Sequence, residues 1–246
     1  MRSIRLIGRL DIKNTNLIKS INLEGLKIVG SPNAYAKKYY DEGIDELILM
    51  DVVATLYGRN YLANILKEIT KKIFIPITIG GGVRSAEDAK KLLSAGADKV
   101  AINSAAVKNP KFVKNLVKEI GSQSVVISIE AKKRDNWWEV YTCNGREPTG
   151  TNVIKWIKEL MQLGAGEILL TSIDREGTRT GFDLDLIAEA SKVCEIPLII
   201  SGGFGKKNDL DCVLKHQVDA VAIADAIHYE RFTIQEIKNY LKNLNN

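Results

Sequence analysis

Residues 75–106, IPITIGGGVRSAEDAKKLLSAGADKVAINSAA, align without a gap onto residues 196–227, IPLIISGGFGKKNDLDCVLKHQVDAVAIADAI, an offset of 121 at which 12 of 32 positions are identical. The same offset lays DELILMD (45–51) on GEILLTS (166–172), and an offset of 119 lays LDIK (10–13) on IEAK (129–132). A chain whose second half repeats its first must build two like halves about a pseudo-twofold axis. Each half carries four short, nearly continuous apolar runs: IRLIGRL (4–10), DELILMD (45–51), IPITIG (75–80) and DKVAIN (98–103), then SVVISIE (124–130), GEILLTS (166–172), IPLIIS (196–201) and DAVAIA (219–224). Strands buried on both faces read this way.

Helical patterns separate the runs. Ser31-Pro32 reads as an N-cap with proline in the first turn, Ser85 with Asp88 as a capping motif, and Asn109-Pro110 as a third start. Eight strands, each followed by a helix, predict an α/β fold: a (β/α)8 TIM barrel of two repeated half-barrels, one domain over residues 1–246. An open doubly wound sheet is the alternative, but it needs no such regular eightfold alternation.

Composition narrows the function classes. Hydrophobic residues make up 45% and charged residues 26%, with a net charge of +5. The lysines are spread along helices, as in KNPKFVKNLVKEIG, so no nucleic-acid footprint is expected. Charges interrupt the N-terminal apolar run, and no stretch of about 18 apolar residues occurs, so neither a leader nor a membrane span is expected. Three well-separated cysteines, Cys143, Cys194 and Cys212, suit a reduced, cytoplasmic setting.

The repeat sets Asp11 opposite Glu130, each at the C-terminal end of a barrel strand, the catalytic end of this fold. Two carboxyls across one mouth are what a general acid and a general base require; the structural alternative is that each caps a nearby loop or helix. Gly80-Gly81-Gly82 and Gly202-Gly203 follow strands three and seven, and Asn103-Ser104 and Ala224-Asp225 follow strands four and eight. These predict two anion cups on opposite sides of the mouth, for a substrate anionic at both ends. Lys19, in a long first loop, is placed to reach an anion. Asp225 is discordant, since a carboxylate repels a dianion, which speaks against a symmetric bisphosphate ligand; pairing with a nearby lysine such as Lys206, or binding a different group through its acceptors, are the alternatives.

At the opposite end, Arg5, Glu46, Lys99 and Glu167 open strands one, two, four and six, and on the residues alone they read as a structural salt-bridge ring. Arg9 points inward one layer below Asp11 and needs a carboxylate partner, Asp11 or Glu130. No serine or cysteine nucleophile stands out. His216 and His228 have no metal-ligand spacing, and the glycines follow the wrong strands for a dinucleotide fingerprint, so neither metal nor cofactor is expected.

The segments LDIK, GIDELILMD, IPITIGGGVRS, GADKVAINSAAVKNP, IGSQSVV, GAGEILLTSIDREGTRTGFD and IPLIISGGFG resemble the cyclase subunit of imidazole glycerol phosphate synthase, the HisF family, from about residue 4 to 243. The resemblance implies a glutaminase subunit docked at the N-terminal face of the barrel. It also implies ammonia passing up the axis to a bisphosphorylated ribulose-type substrate, with imidazole glycerol phosphate and an aminoimidazole carboxamide ribotide as products. By position, Asp11 matches the catalytic aspartate and Glu130 its partner, and Lys19 matches the loop lysine that closes on substrate. Gly82, Asn103 and Ser104 match one phosphate site, and Gly177, Gly203, Ala224 and Asp225 the other. Thr171 and Glu176 count among the substrate positions. Arg5, Glu46, Lys99 and Glu167 match an ammonia gate, intact here, which replaces the purely structural reading of the ring.

The departures cluster at the substrate end. Arg9 replaces a cysteine, Glu130 and Glu176 replace aspartates, Asp225 replaces a serine, and Asn14-Thr15-Asn16 lacks the usual glycine. The overall match implies the histidine-pathway cyclase. The departures suit a relative that channels ammonia to a nucleotide-linked sugar in surface polysaccharide synthesis. A non-catalytic barrel that activates a glutaminase is the third alternative, against which the retained Asp11 and Lys19 speak.

Overall fold

A computed structural model describes residues 4–54, 62–211, 215–216 and 218–244. Eight parallel strands close into a barrel: β1 (Arg5–Lys13), β4 (Glu46–Asp51), β5 (Ile77–Gly80), β6 (Lys99–Ile102), β7 (Val125–Arg134), β10 (Glu167–Ser172), β11 (Leu198–Ser201) and β12 (Ala220–Ile223). They pair in that order, β7 joins β10, and β12 returns to β1. This is the expected (β/α)8 barrel.

Two strands outrun their expected ends: β1 continues past Leu10 to Lys13, and β7 past Glu130 to Arg134. Each leaves the barrel as the first strand of an antiparallel extension. In the first half β1 pairs with β2 (Asn16–Ile21), which pairs with β3 (Glu24–Gly30). In the second half β7 pairs with β8 (Trp137–Thr142), which pairs with β9 (Glu147–Asn152). The antiparallel ladders begin at the pairs Asp11–Ile18 and Glu130–Tyr141, so both carboxyls sit where a barrel strand turns outward. Lys19 therefore lies on a strand, not in a loop as expected from sequence. Asn14, at φ 57°, makes the β1–β2 turn without the glycine, because asparagine tolerates the left-handed region.

Helices cover the barrel: α1 (Pro32–Asp41), α2 (Leu62–Thr70), α3 (Ala86–Ser94), α4 (Ser104–Lys108), α5 (Pro110–Ile120), α6 (Val153–Gln162), α7 (Leu184–Ser191), α8 (Asp225–His228) and α9 (Ile234–Leu244). The capping box at Ser85 is present: Asp88 N donates to Ser85 Oγ at 3.1 Å and Ser85 N to Asp88 Oδ2 at 3.1 Å. Ser31 and Asn109 cap with no side-chain hydrogen bond; there the prolines at the helix starts carry the signal instead. Leu6, Leu10, Leu47 and Leu49 face the helices and pack with Tyr39, Leu66 and Leu92 in one continuous core.

A repeated device aligns neighbouring strands at the N-terminal end of the barrel. Asp45, Asp98 and Asp219 each stand one residue before a strand and accept a 2.8 Å bond from the backbone N–H of Leu6, Ile77 and Leu198 in the preceding strand. The fourth equivalent, Gly166, breaks the pattern because a Cβ there would sit 1.8 Å from the carbonyl oxygen of Ser122. Its N–H still donates to the Val125 carbonyl, as those of Asp45, Asp98 and Asp219 donate to Leu6, Ile77 and Leu198; only the side-chain bond is lost.

His228 ends α8 buried against Tyr39. The Tyr39 hydroxyl and His228 Nδ1 lie 2.5 Å apart, and the rings stack at 6.0 Å. Burial, with nearby Lys19, pushes the imidazole down to about 3, although Asp225 and Glu176 oppose this. An unfolded histidine titrates near 6.5, so the unfolded chain binds the extra proton first, and stability falls as pH drops from about 6.5 towards 3. We expect wild-type protein to lose about 2 kcal/mol between pH 7.5 and 5 through this group. His228→Gln should flatten that slope in urea unfolding; an unchanged slope would assign the acid sensitivity to other groups.

Candidate active site

The barrel interior is layered. At the N-terminal rim, Arg5, Glu46, Lys99 and Glu167 form a closed ring of ion pairs. Arg5 donates to Glu46 at 2.7 Å and to Glu167 at 2.6 Å; Lys99 lies 2.7 Å from Glu167 and 3.7 Å from Glu46. Above it comes an apolar layer of Ile7, Ile48, Ala101, Val126, Leu169 and Ile199, with Ala220 and Ala222. The small alanines leave β6 and β12 thinner than their neighbours.

The next layer is polar, and Arg9 is its centre. Arg9 is 3% exposed. Its Nε donates to Asp11 Oδ1 at 2.9 Å, and its Nη1 donates to Thr171 Oγ1 at 2.9 Å and Ser201 Oγ at 3.3 Å. The expected carboxylate partner is thus Asp11. Burial alone would lower the guanidinium pKa, but Asp11, Glu176 and Glu130 more than offset it, so the group stays charged. Thr171 spends its hydroxyl on Arg9, and Ser201, a partner that sequence reading missed, shares the same donor.

Asp11, 1% exposed, keeps Oδ2 without a partner among the described residues. Glu130, 7% exposed, accepts the Gly145 N–H on Oε2 at 2.8 Å. Burial pushes its carboxyl up to about 7; the Gly145 bond and the Arg9 charge pull it back only in part, and Asp11 adds to the rise. The repeat-related carboxyls therefore have different surroundings: a guanidinium on one, a backbone amide on the other.

The two expected cups differ as well. Gly82, Asn103 and Ser104 line a cavity of about 340 Å³ whose wall also includes Arg9, Glu130, Arg84 and Lys108. Ser104 Oγ accepts the Cys143 N–H at 3.2 Å, and Asn103 Oδ1 is buried without a partner. Gly177, Gly203, Ala224 and Asp225 line a separate space of only about 20 Å³, shared with Glu176. Asp225 Oδ1 accepts Arg179 Nε at 2.8 Å and also pairs with Arg231, while Arg179 Nη2 reaches Oδ2 at 3.3 Å. Lys206, the partner expected from sequence, does not hold Asp225. Its backbone N–H instead donates to Asp209 in the 3₁₀ turn that follows. Neither arginine was singled out in the sequence, because no spacing links positions 179 and 231 to 225.

Lys19, 5% exposed, is ion-paired with Glu176. Lys19 and Arg9 overcome the burial of Glu176 and lower its pKa. The lysine expected to reach for an external anion is thus already paired inside the protein. Cys143 and Cys194 are free and buried, and Cys212 lies outside the described residues. Among the described residues no helix is long and apolar enough to cross a membrane.

A family model described as "Histidine biosynthesis protein" matches residues 5–233. The chain is 57% identical over 212 residues to a Legionella pneumophila protein named imidazole glycerol phosphate synthase subunit HisF, covering 86% of this chain and 100% of that one. Proteins of the same name from two strains of Dehalococcoides mccartyi are each 44% identical over 243 residues, 98% of this chain and 96% of theirs. With the closed barrel and the mouth just described, these matches place the chain: it belongs to the HisF family of histidine biosynthesis proteins.

Proposed function

We infer that this chain is the cyclase subunit of imidazole glycerol phosphate synthase, a lyase of histidine biosynthesis that works with a glutaminase subunit. The observation that carries the chemical reading is the pair of buried carboxyls, Asp11 and Glu130, at the turning points of the two half-barrels. When ammonia replaces a carbonyl oxygen, the nitrogen sheds two protons and the oxygen takes up two to leave as water, one of each at addition and one of each at dehydration. At each stage one carboxyl accepts a proton from nitrogen and the other supplies one to oxygen, so the step calls for a pair. The 340 Å³ cavity bounded by Ser104, Arg84 and Lys108 receives one anionic end of the substrate. The ring of Arg5, Glu46, Lys99 and Glu167 faces the glutaminase and admits ammonia to the axis. The test supplies ammonium and the bisphosphorylated precursor without a glutaminase and follows loss of precursor. Turnover supports the reading; no turnover by folded protein overturns it.

A second reading, ammonia transfer to another acceptor, is favoured by Asp225. Two carboxyls, Asp225 and Glu176, line the smaller cup; the cations beside them, Arg179, Arg231 and Lys19, are engaged in pairing these carboxyls, and the carboxylate oxygens themselves repel a dianion. Asp225→Ser removes that repulsion and leaves Arg179 and Arg231 facing the cup. We expect inorganic phosphate to bind that variant about tenfold more tightly than wild type by ³¹P NMR titration. Equal affinity would show that Asp225 does not govern the cup, and the second reading would lose its support.

A further inference from the structure

The two half-barrels are alike at the positions that carry carboxyls and unlike one layer below. At the offset of 119 that relates Asp11 to Glu130, Arg9 corresponds to Ser128. Only one member of the pair therefore has a cation bonded to it. Arg9 reaches from β1 to β10 and β11, where the hydroxyls of Thr171 and Ser201 fix its far end. With three hydrogen bonds from two of its nitrogens at 2.9–3.3 Å, the guanidinium plane is set, and with it the orientation of Asp11. Oδ1 is held by Nε, and Oδ2 is the one oxygen left for a ligand. A buried acceptor with no partner is costly, so a donor from the substrate is its natural complement.

We propose that Arg9 is a positioning residue that divides the work of the carboxyl pair: it clamps Asp11 as the proton acceptor and leaves Glu130 as the proton donor. This rests on the reading of the mouth as the reaction site. It goes beyond that reading by giving the two carboxyls different roles and naming the side chain that separates them. Glu130 has no cation bonded to it among the described residues; its bond is from the Gly145 N–H. Of the groups around it, Arg9 and Asp11 come from β1; Tyr141 is its register partner on β8, and Thr171 on β10. Glu176 is already neutralised by Lys19 of β2. Asp51, Arg84 and Lys108 share its cavity wall. Arg9 is the cation among these that holds the Glu130 pKa down, and Gly145 contributes only a neutral N–H.

The deciding measurement needs no substrate: a carboxyl ¹³C NMR titration of Glu130 in wild type, Arg9→Met and Arg9→Lys. Wild type should titrate near 7, Arg9→Met at least about half a unit higher, and Arg9→Lys close to wild type. A residue that merely filled space would leave all three midpoints alike, and that result would overturn the proposal. Should Arg9→Met not fold, Arg9→Gln supplies the same loss of charge with a polar end that Thr171 can still meet. Where the precursor is turned over, kcat for Arg9→Met should fall at least about tenfold with KM changed less than threefold. A loss confined to KM would instead make Arg9 a substrate-binding group. Because the titration does not depend on turnover, a failed turnover assay bears on the proposed function and a static Glu130 midpoint bears on Arg9.

Discussion

Asp11→Asn should lower ammonium-dependent kcat by about 10²–10⁴-fold, the range that loss of a positioned acid or base produces. The substitution keeps the volume of the side chain and an oxygen for Arg9 Nε, so the geometry of the clamp is retained. What is lost is the proton acceptor at Oδ2, the oxygen that has no partner among the described residues. Some stability is lost too, because the 3%-exposed guanidinium then has only Glu130 and Glu176 to balance it. Thermal unfolding should be run beside the kinetics, so that activity is compared at a temperature where both proteins are folded. A variant keeping more than about a tenth of wild-type kcat would remove Asp11 from the chemistry.

Glu167→Ala should have the largest effect at the other end. Glu167 is the most buried member of the ring and accepts from both cations, Arg5 at 2.6 Å and Lys99 at 2.7 Å. Removing it leaves Arg5 and Lys99 facing one another across the rim, with Glu46 alone between them. Deleting one partner of a buried ion pair commonly costs about 3–5 kcal/mol; here both cations keep some solvent contact, so about 2–4 kcal/mol is expected in urea unfolding. The functional signature is a ratio. If the ring admits ammonia from a glutaminase, glutamine-driven turnover should fall more than turnover driven by added ammonium. Equal losses would return the ring to a purely structural role.

The barrel was legible because its evidence is periodic and doubled: eight apolar runs and a 121-residue repeat leave few other ways to pack. The extensions on each half were not read, although signals for one were present. WWEVYT is rich in aromatic and β-branched residues, and Asn144-Gly145 after it is a hairpin turn, with φ of 59° and 73°. The first extension is harder, since its turn uses Asn22 and Leu23 at positive φ, and leucine gives no warning of that conformation. Within the site, alternation along β1 sufficed to place Arg9 beside Asp11, because residues two apart share a face. Its other contacts, Thr171 and Ser201, depend on the curvature of a closed barrel, which brings β10 and β11 within reach of β1. The clasp on Asp225 by Arg179 and Arg231 was illegible for a similar reason. A side chain on a connecting segment has no periodicity to betray its partner, so the sequence points to Lys206 where the barrel supplies two arginines.

The central claim is that this barrel mouth joins ammonia to an acceptor through Asp11 and Glu130. It is tested most directly by supplying ¹⁵N-ammonium and the bisphosphorylated precursor to the purified chain and analysing the products by mass spectrometry. Imidazole glycerol phosphate carrying one ¹⁵N in its new ring is the expected product, formed by wild type and lost in Asp11→Asn. Folded wild-type protein that leaves the precursor intact, or releases product without the label, would contradict it.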